Sequence, residues 1–475
     1  MARQWVDLLE RAGQSWWQLL PLSPTGRGNS PYLSISTFAI SELLLAPDGL
    51  LDDGLLDPTD ELNVPRFSTE RVDFDLVRSW KTAIIELAWR RFCSGRRADL
   101  QADYRRFCRS HAHWLPDYAL FVALRKAHPS DHYLHWPTEI SLRDPVALAD
   151  AAKRLHETID LVSFTQFLLF RQADALKEYA NARGVRLLGD LPFFISPDSA
   201  DVWANPELFL LDSDHRPTYV GGVPPDYFSA DGQLWGNPVY DWMAHKRTGY
   251  RWWIERLRSL LAQVDVIRVD HFRALAAAWH VPAGSPTART GEWRPGPGAD
   301  LLEAVRTQLG GLPLLAEDLG CITDDVIQLR EQFQMPGMRV LQFAFDGEPH
   351  NPFLPSNYEP NTVVYTGTHD NDTTRGWFRS LDDRTRQLLC RCLGCESVSE
   401  EQVTWELIRV AWESVASVAI APLQDILNLG PEARMNVPGK PDFNWEWRCS
   451  PNAFDDEGFQ RLKAWTIRTG RAPTS

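Results

Sequence analysis

Three acidic residues stand at or just beyond the ends of short apolar runs: Asp270 after Val266–Val269, Glu317 after Leu312–Ala316, and Asp370 shortly after Thr362–Tyr365. Arg268 and His271 accompany the first, and His369 precedes the third. A single carboxylate in such a place ordinarily caps the next helix. Three of them, interleaved with an Arg and two His, are harder to dismiss as caps, and the chemistry they could serve is cleavage of a glycosidic bond with retention. One carboxylate attacks the anomeric carbon, while a second carboxyl about 5 Å away protonates the leaving oxygen and later deprotonates the acceptor. Arg268 lies two places before Asp270, so in a strand both side chains share a face. A fixed guanidinium there favours the ionised carboxylate that a nucleophile needs. Glu317 follows an apolar Leu314-Leu315-Ala316, which helps to keep an acid protonated. Two carboxylates suffice for this chemistry, so no metal and no organic cofactor is expected.

For these groups to meet, the strands that carry them must lie side by side. From about Phe164 onward the sequence alternates amphipathic helices with short apolar strands. A helix over Phe164–Arg183, stopped by Gly184, precedes a strand over Val185–Gly189 with Asp190 at its end. Trp253, Leu257, Leu260, Leu261 and Val264 mark a helix before the strand Val266–Val269. A helix over Ala299–Leu309, stopped by Gly310 and Gly311, precedes Leu312–Ala316. Thr323 then caps a helix to Phe333, and strands follow at Met338–Phe345 and Thr362–Tyr365. Such strands predict a parallel sheet covered on both faces. Polar residues just past the strand ends favour a barrel, and no G-x-G-x-x-G loop follows any strand to favour a nucleotide fold. The expected architecture is α/β, a (β/α)8 barrel forming a single catalytic domain over residues 1–475. A helical, Arg-rich insertion is expected at about 55–160 and a long loop subdomain at about 192–240, of a length that is usually functional.

With 63 acidic against 49 basic residues, the formal net charge is −14. That disfavours nucleic acid and anionic membranes and suits a neutral substrate. No run approaches the roughly 18 apolar residues of a membrane span. Met1–Glu10 lacks the apolar core of a signal peptide. A cytoplasmic protein with no obligate protein partner is expected. The seven scattered cysteines do not make a disulfide framework. Cys390, Cys392 and Cys395 lack the paired spacing of a zinc site and are read as reduced thiols.

Longer motifs carry a family resemblance. Ser30–Tyr32 (SPY), Gly222–Phe228 (GVPPDYF), Gly232–Pro238 (GQLWGNP), Ile267–Phe272 (IRVDHF), Ala316–Gly320 (AEDLG), Thr366–Thr373 (TGTHDNDT), Arg434–Gly439 (RMNVPG) and Asn444–Trp447 (NWEW) occur in order along nearly the whole chain. Together they closely resemble the amylomaltases, the 4-α-glucanotransferases of glycoside hydrolase family 77. Arg-x-Asp and His-Asp alone would mark only the wider α-amylase clan; the PPDYF and GQxWGNP segments are specific.

The resemblance implies a retaining enzyme that moves α-1,4-glucan segments from maltooligosaccharide donors to glucose or glucan acceptors through a covalent glycosyl-enzyme. It implies Asp270 as nucleophile, Glu317 as acid/base, and Asp370 as the group that holds the 2- and 3-hydroxyls of the distorted sugar. Arg268, His271 and His369 would frame the cleavage subsite, with Tyr32 stacking on the sugar there. Asp226, Gln233 and Trp235 would belong to a loop closing over the acceptor, and Asn436 to the donor side. Water at ~55 M competes with an acceptor at ~1 mM, so transfer must be favoured by roughly 6 kcal/mol to dominate. The Tyr227–Trp235 loop is the candidate for excluding that water.

One departure concerns the start. The family opens with an apolar strand before its first helix, whereas here Gln4–Arg11 is already helical and Trp16–Leu20 resembles the second strand. The first barrel strand is therefore expected to be missing. A seven-stranded, gapped barrel follows, with Trp16–Leu20 and Thr362–Tyr365 beside the gap and unpaired edges facing it.

Overall fold

The computed structural model describes residues 1–60, 63–130, 132–225, 229–440, 442–450, 452–453 and 457–473. Its strands are β1 (Trp16–Gln18), β2 (Arg186–Leu191), β3 (Tyr219–Val223), β4 (Gln233–Pro238), β5 (Val266–Val269), β6 (Ala277–Pro282), β7 (Glu292–Pro295), β8 (Leu314–Ala316), β9 (Gly337–Val340), β10 (Thr362–Tyr365) and β11 (Val418–Ile420). Seven are parallel, in the order β1-β2-β5-β8 and β9-β10-β11. The two runs join where the Ala316 amide donates to Pro336 O (2.9 Å) and the Met338 amide to the Asp318 carboxylate (2.7 Å).

Two-residue alternation decides what this barrel holds. Leu188, Leu315, Met338, Val340, Val363 and Tyr365 form one buried cluster, with Trp16, Val266, Val418 and Ile420 against it. Two places further along their strands, the same inward parity carries Asp190, Arg268 and Glu317. The outward residues Leu187, Leu191, Ile267, Val269, Leu314 and Ala316 join the larger core. That core includes Phe164, Phe167 and Leu168 of the helix His156–Asn181, and Trp253 and Leu257 of the helix Arg251–Gln263. Gly189 leaves no room for a side chain on this face, since a Cβ there would lie 2.8 Å from Val264 Cγ2.

Between β1 and His156–Asn181 the chain forms the helices Pro47–Asp52, Phe74–Cys93, Ala98–Ser110, Leu115–Ala127, Thr138–Ser141 and Pro145–Arg154. The stretch read as a long loop carries more structure than expected. Its β3 and β4 join β6 and β7 in an antiparallel sheet of order β4-β3-β6-β7. Gly- and Pro-rich strands such as YVGGV and QLWGNP give little alternation to read. No helix among the described residues is long and apolar enough to cross a membrane.

Thr362–Tyr365 is not the edge strand that the sequence suggested. It pairs on both sides, with β9 and with β11. Among the described residues β11 pairs only with β10, and β1 only with β2. Trp16–Gln18 and Val418–Ile420 line one cavity of about 670 Å³ together with Trp5, Leu9 and Trp412. Val418–Ile420 escaped the sequence because three half-buried residues in an Ala- and Ser-diluted run give almost no strand signal. Two other strands shift. Met338–Phe345 is strand only over β9 before a 3-10 turn at Leu341–Phe343, and Asp190 lies inside β2 rather than beyond it.

Candidate active site

The register of β5 and β8 pairs Val269 with Ala316, so Asp270 and Glu317 are the next residues on neighbouring strands, whose backbones run about 4.8 Å apart. Backbone bonds extend the ladder around them. The Asp270 amide donates to Leu191 O (3.0 Å), the Glu317 amide to Val269 O (3.1 Å), and the Phe272 amide to Glu317 O (3.1 Å). The backbone then turns sharply: His271 adopts a left-handed conformation (φ 50°, ψ 47°). For a residue with a side chain this costs about 1–3 kcal/mol. The turn aims the His271 amide at Glu317 Oε2 (2.6 Å), while the Leu319 amide donates to Oε1 (3.0 Å). Both oxygens of Glu317 are thus fixed by backbone.

Beneath them, Arg268 is buried and its Nη1 donates to Asp190 Oδ1 (2.8 Å) and Oδ2 (3.0 Å) and to Asp270 Oδ1 (3.0 Å). Asp270 keeps 29% of its side chain exposed, so an incoming ligand can reach it. Burial pushes its carboxyl up to about 6, with Asp190 and Asp370 adding like charge and Arg268 pulling it down. The guanidinium does favour the anion, as the sequence suggested, but withdrawal from water outweighs it. Burial pushes Glu317 up to about 8, Asp270 adding to the effect, against Arg268 and the two backbone donors. The two carboxyls are therefore set apart, one ionised and one protonated near neutrality. Burial lowers His271 to about 3, which leaves the ring neutral. Burial lowers His369 as well.

Asp370 stands on the loop after β10, with 49% of its side chain exposed. Asn436 Nδ2 donates to its Oδ1 (2.6 Å), Arg434 Nη2 donates to its carbonyl oxygen (2.8 Å), and His369 Nε2 lies 3.5 Å from Oδ1. Tyr32 stacks on His369 (ring centroids 4.9 Å apart) and donates its hydroxyl to Asp190 Oδ2 (2.6 Å). Trp445 lies against both rings, 5.8 Å from each. Trp235 meets His271 edge to face at 4.8 Å and donates its indole N–H to Gln233 Oε1 (3.1 Å). The structure thus gathers Asp270, Glu317, Asp370, Arg268, His271, His369, Tyr32, Asn436, Trp235 and Gln233 around one rim. Asp226 lies outside the described residues. The 670 Å³ cavity touches this rim through Arg268, Thr368 and His369, and none of the three central carboxylates lines it.

Sequence reading gave no site role to Asp190, Arg434 or Trp445. Asp190 carried a usable signal, being two places after an inward Leu188, but its partner is visible only once β2 and β5 are in register (Asp190 beside Arg268).

The profile of the family described as 4-alpha-glucanotransferase, glycoside hydrolase family 77, matches residues 1–453. A 4-alpha-glucanotransferase of Synechocystis is 47% identical over 96% of this chain and 90% of its own length. That of Thermus thermophilus is 45% identical over 99% of this chain and 94% of its own. Among solved structures, the amylomaltase of Streptococcus agalactiae in complex with acarbose superposes with a TM-score of 0.94 at 34% identity, covering 99% of this chain and 95% of that one. The amylomaltase of Corynebacterium glutamicum shares the fold, at a TM-score of 0.81 and 17% identity over 98% of this chain and 71% of its own. With its carboxylates on neighbouring parallel strands and these relatives along its whole length, the chain belongs to the 4-α-glucanotransferases of glycoside hydrolase family 77.

Proposed function

We propose that the protein transfers α-1,4-glucan segments from maltooligosaccharide donors to the 4-hydroxyl of glucose or of another glucan, with Asp270 as nucleophile and Glu317 as acid/base. The observation that carries the assignment is the register-paired placement of the two carboxyls, with Asp270 pushed up to about 6 and Glu317 to about 8. In the first step Asp270 attacks the anomeric carbon as the C1–O4 bond breaks, and Glu317 gives its proton to the leaving oxygen. In the second, Glu317 takes the proton of the acceptor hydroxyl as that oxygen displaces Asp270. Asp370 holds the 2- and 3-hydroxyls of the distorted donor sugar, and Arg268, His271, His369 and Tyr32 frame it. Trp235 and Gln233 sit on the acceptor side, the side to which the family resemblance also assigns Asp226, and Asn436 on the donor side through its bond to Asp370. The net charge of −14 is compatible with a neutral substrate, and the odd, scattered cysteines support a cytoplasmic setting.

Maltotriose tests the reading. The expected product is a ladder of longer and shorter maltooligosaccharides with free glucose and no net gain in reducing ends. A steady rise in reducing ends without chains longer than the substrate would instead make the protein a hydrolase.

The pH dependence follows from the same two groups. Asp270 must be ionised, so kcat/KM is lost as the pH falls through about 6; Glu317 must be protonated, so it is lost as the pH rises through about 8. A bell with these limbs is expected for maltotriose disproportionation. A rate flat from about pH 5 to about pH 9 would remove the two carboxyls from their roles.

A further inference from the structure

The loop Thr366–Thr374 carries His369 and Asp370, and both of its ends are tied to one carboxylate on a different segment. Asp425, in the short helix Leu423–Ile426 just after β11, is buried. Its Oδ2 accepts from the Thr366 hydroxyl (2.6 Å) and the Thr374 hydroxyl (2.7 Å), and its Oδ1 from the Thr374 amide (2.9 Å). None of these donors is charged. Keeping a carboxylate out of water with only neutral donors is costly, so an apolar residue would serve packing alone better.

What the carboxylate achieves is geometric: it closes the loop at its two roots. The same downstream segment supplies the contacts at the tip. Arg434 holds the Asp370 carbonyl oxygen, Asn436 holds its carboxylate, and Arg434 Nε donates to Asn436 O (2.8 Å), tying the two together. Within the loop, the Thr368 amide and hydroxyl both donate to Asn371 Oδ1 (2.9 and 2.8 Å), and Gln342 Nε2 donates to Asp372 O (3.1 Å). Asp370 itself is half exposed, so its position depends on this scaffold rather than on packing around it.

We infer that Asp425 is a positioning residue for Asp370, fixing through Thr366 and Thr374 the loop that presents Asp370 to the donor sugar. The inference rests on the proposed role of Asp370 in holding that sugar in the transition state. A displacement of about 1 Å in such a group is enough to cost about 100-fold in rate.

The test is a set of full-length variants assayed for transfer, with an activated glycosyl fluoride as donor so that slow variants remain measurable. Asp425→Ala is expected to lower kcat about 100-fold, with KM for the donor changed less than about threefold. Asp425→Asn should restore most of the rate. Its amide oxygen keeps the Thr374 amide, and the two hydroxyls turn to accept from its NH2 group. In an Asp370→Asn background, Asp425→Ala should have almost no further effect, because it acts through the side chain already removed. Wild-type kcat in Asp425→Ala, or an equal loss in both backgrounds, would overturn the inference. Should Asp425→Ala fail to fold, Thr366→Val and Thr374→Val each remove one tie and are expected to show the same dependence on Asp370. If Asp370→Asn itself transfers normally, the role given to Asp370 has failed. If Asp370→Asn is inactive while Asp425→Ala is fully active, only the positioning role has.

Discussion

Glu317→Gln and Asp270→Asn are expected each to lower transfer by about 10⁴-fold or more while leaving the protein folded, because each removes a carboxyl function and almost no volume. The two should differ in what accumulates. Given a glycosyl fluoride, whose leaving group needs no proton, Glu317→Gln still forms the bond to Asp270 but cannot deprotonate the acceptor. Intact-mass measurement should therefore find the protein heavier by the transferred glycosyl group. Asp270→Asn should never gain that mass. The Gln variant is not silent structurally. Both oxygens of Glu317 accept backbone N–H groups, from His271 and Leu319, so the new NH2 must face one of them. An unmet donor of this kind costs about 1–3 kcal/mol, and a modest fall in thermal midpoint is expected. Substantial residual transfer in either variant, or the covalent adduct in Asp270→Asn, would reassign the roles.

The chemistry of this chain was more legible in its sequence than the scaffold around it. Val266–Val269 and Thr362–Tyr365 are short, mostly apolar strands followed by polar residues, and their limits appear in the structure as read. The left-handed turns at Gly184 and Gly310 close the helices they were expected to close. Where local pattern and tertiary demand diverge, the reading slipped. Val418–Ile420 is a barrel strand only because β10 offers it a partner, and nothing in its own composition says so. The sheet β4-β3-β6-β7 joins segments on either side of Asp270, and its glycines hide the alternation. Thr323 stands at the expected helix start but caps nothing with its side chain, donating instead to Asp325.

Charge at the site was read in kind but not in balance. Arg268 beside Asp270 follows from strand parity, whereas burial and the like charge of Asp190 reach Asp270 only through the packed barrel. The same limit applies to Asp425, Arg434 and Asn436, which reach the 366–374 loop from far along the chain. Their effect on Asp370 is a property of the fold.

Asp190 provides the second large effect. Its side chain is fully buried between Arg268 and Tyr32, accepting from both. Removing it in Asp190→Ala leaves the buried Arg268 with one carboxylate partner, Asp270, in place of two. Stranding a buried charge in this way costs about 3–5 kcal/mol. The urea midpoint should fall accordingly, with little change in slope. Activity should fall too, since Tyr32 loses the bond that holds its ring on His369. The pH profile separates this from general loosening. Asp190 raises the pKa of Asp270 and Arg268 lowers it, so without Asp190 the guanidinium is left to act on Asp270 alone. The acidic limb of kcat/KM should therefore move below about 6, because Asp270 stays ionised to lower pH. Tyr32→Phe, which removes only the hydroxyl, should cost no more than about 1.5 kcal/mol and leave that limb nearer its original place. If Asp190→Ala unfolds at the original midpoint and its acidic limb does not move, Asp190 has no part in setting the charge of the nucleophile.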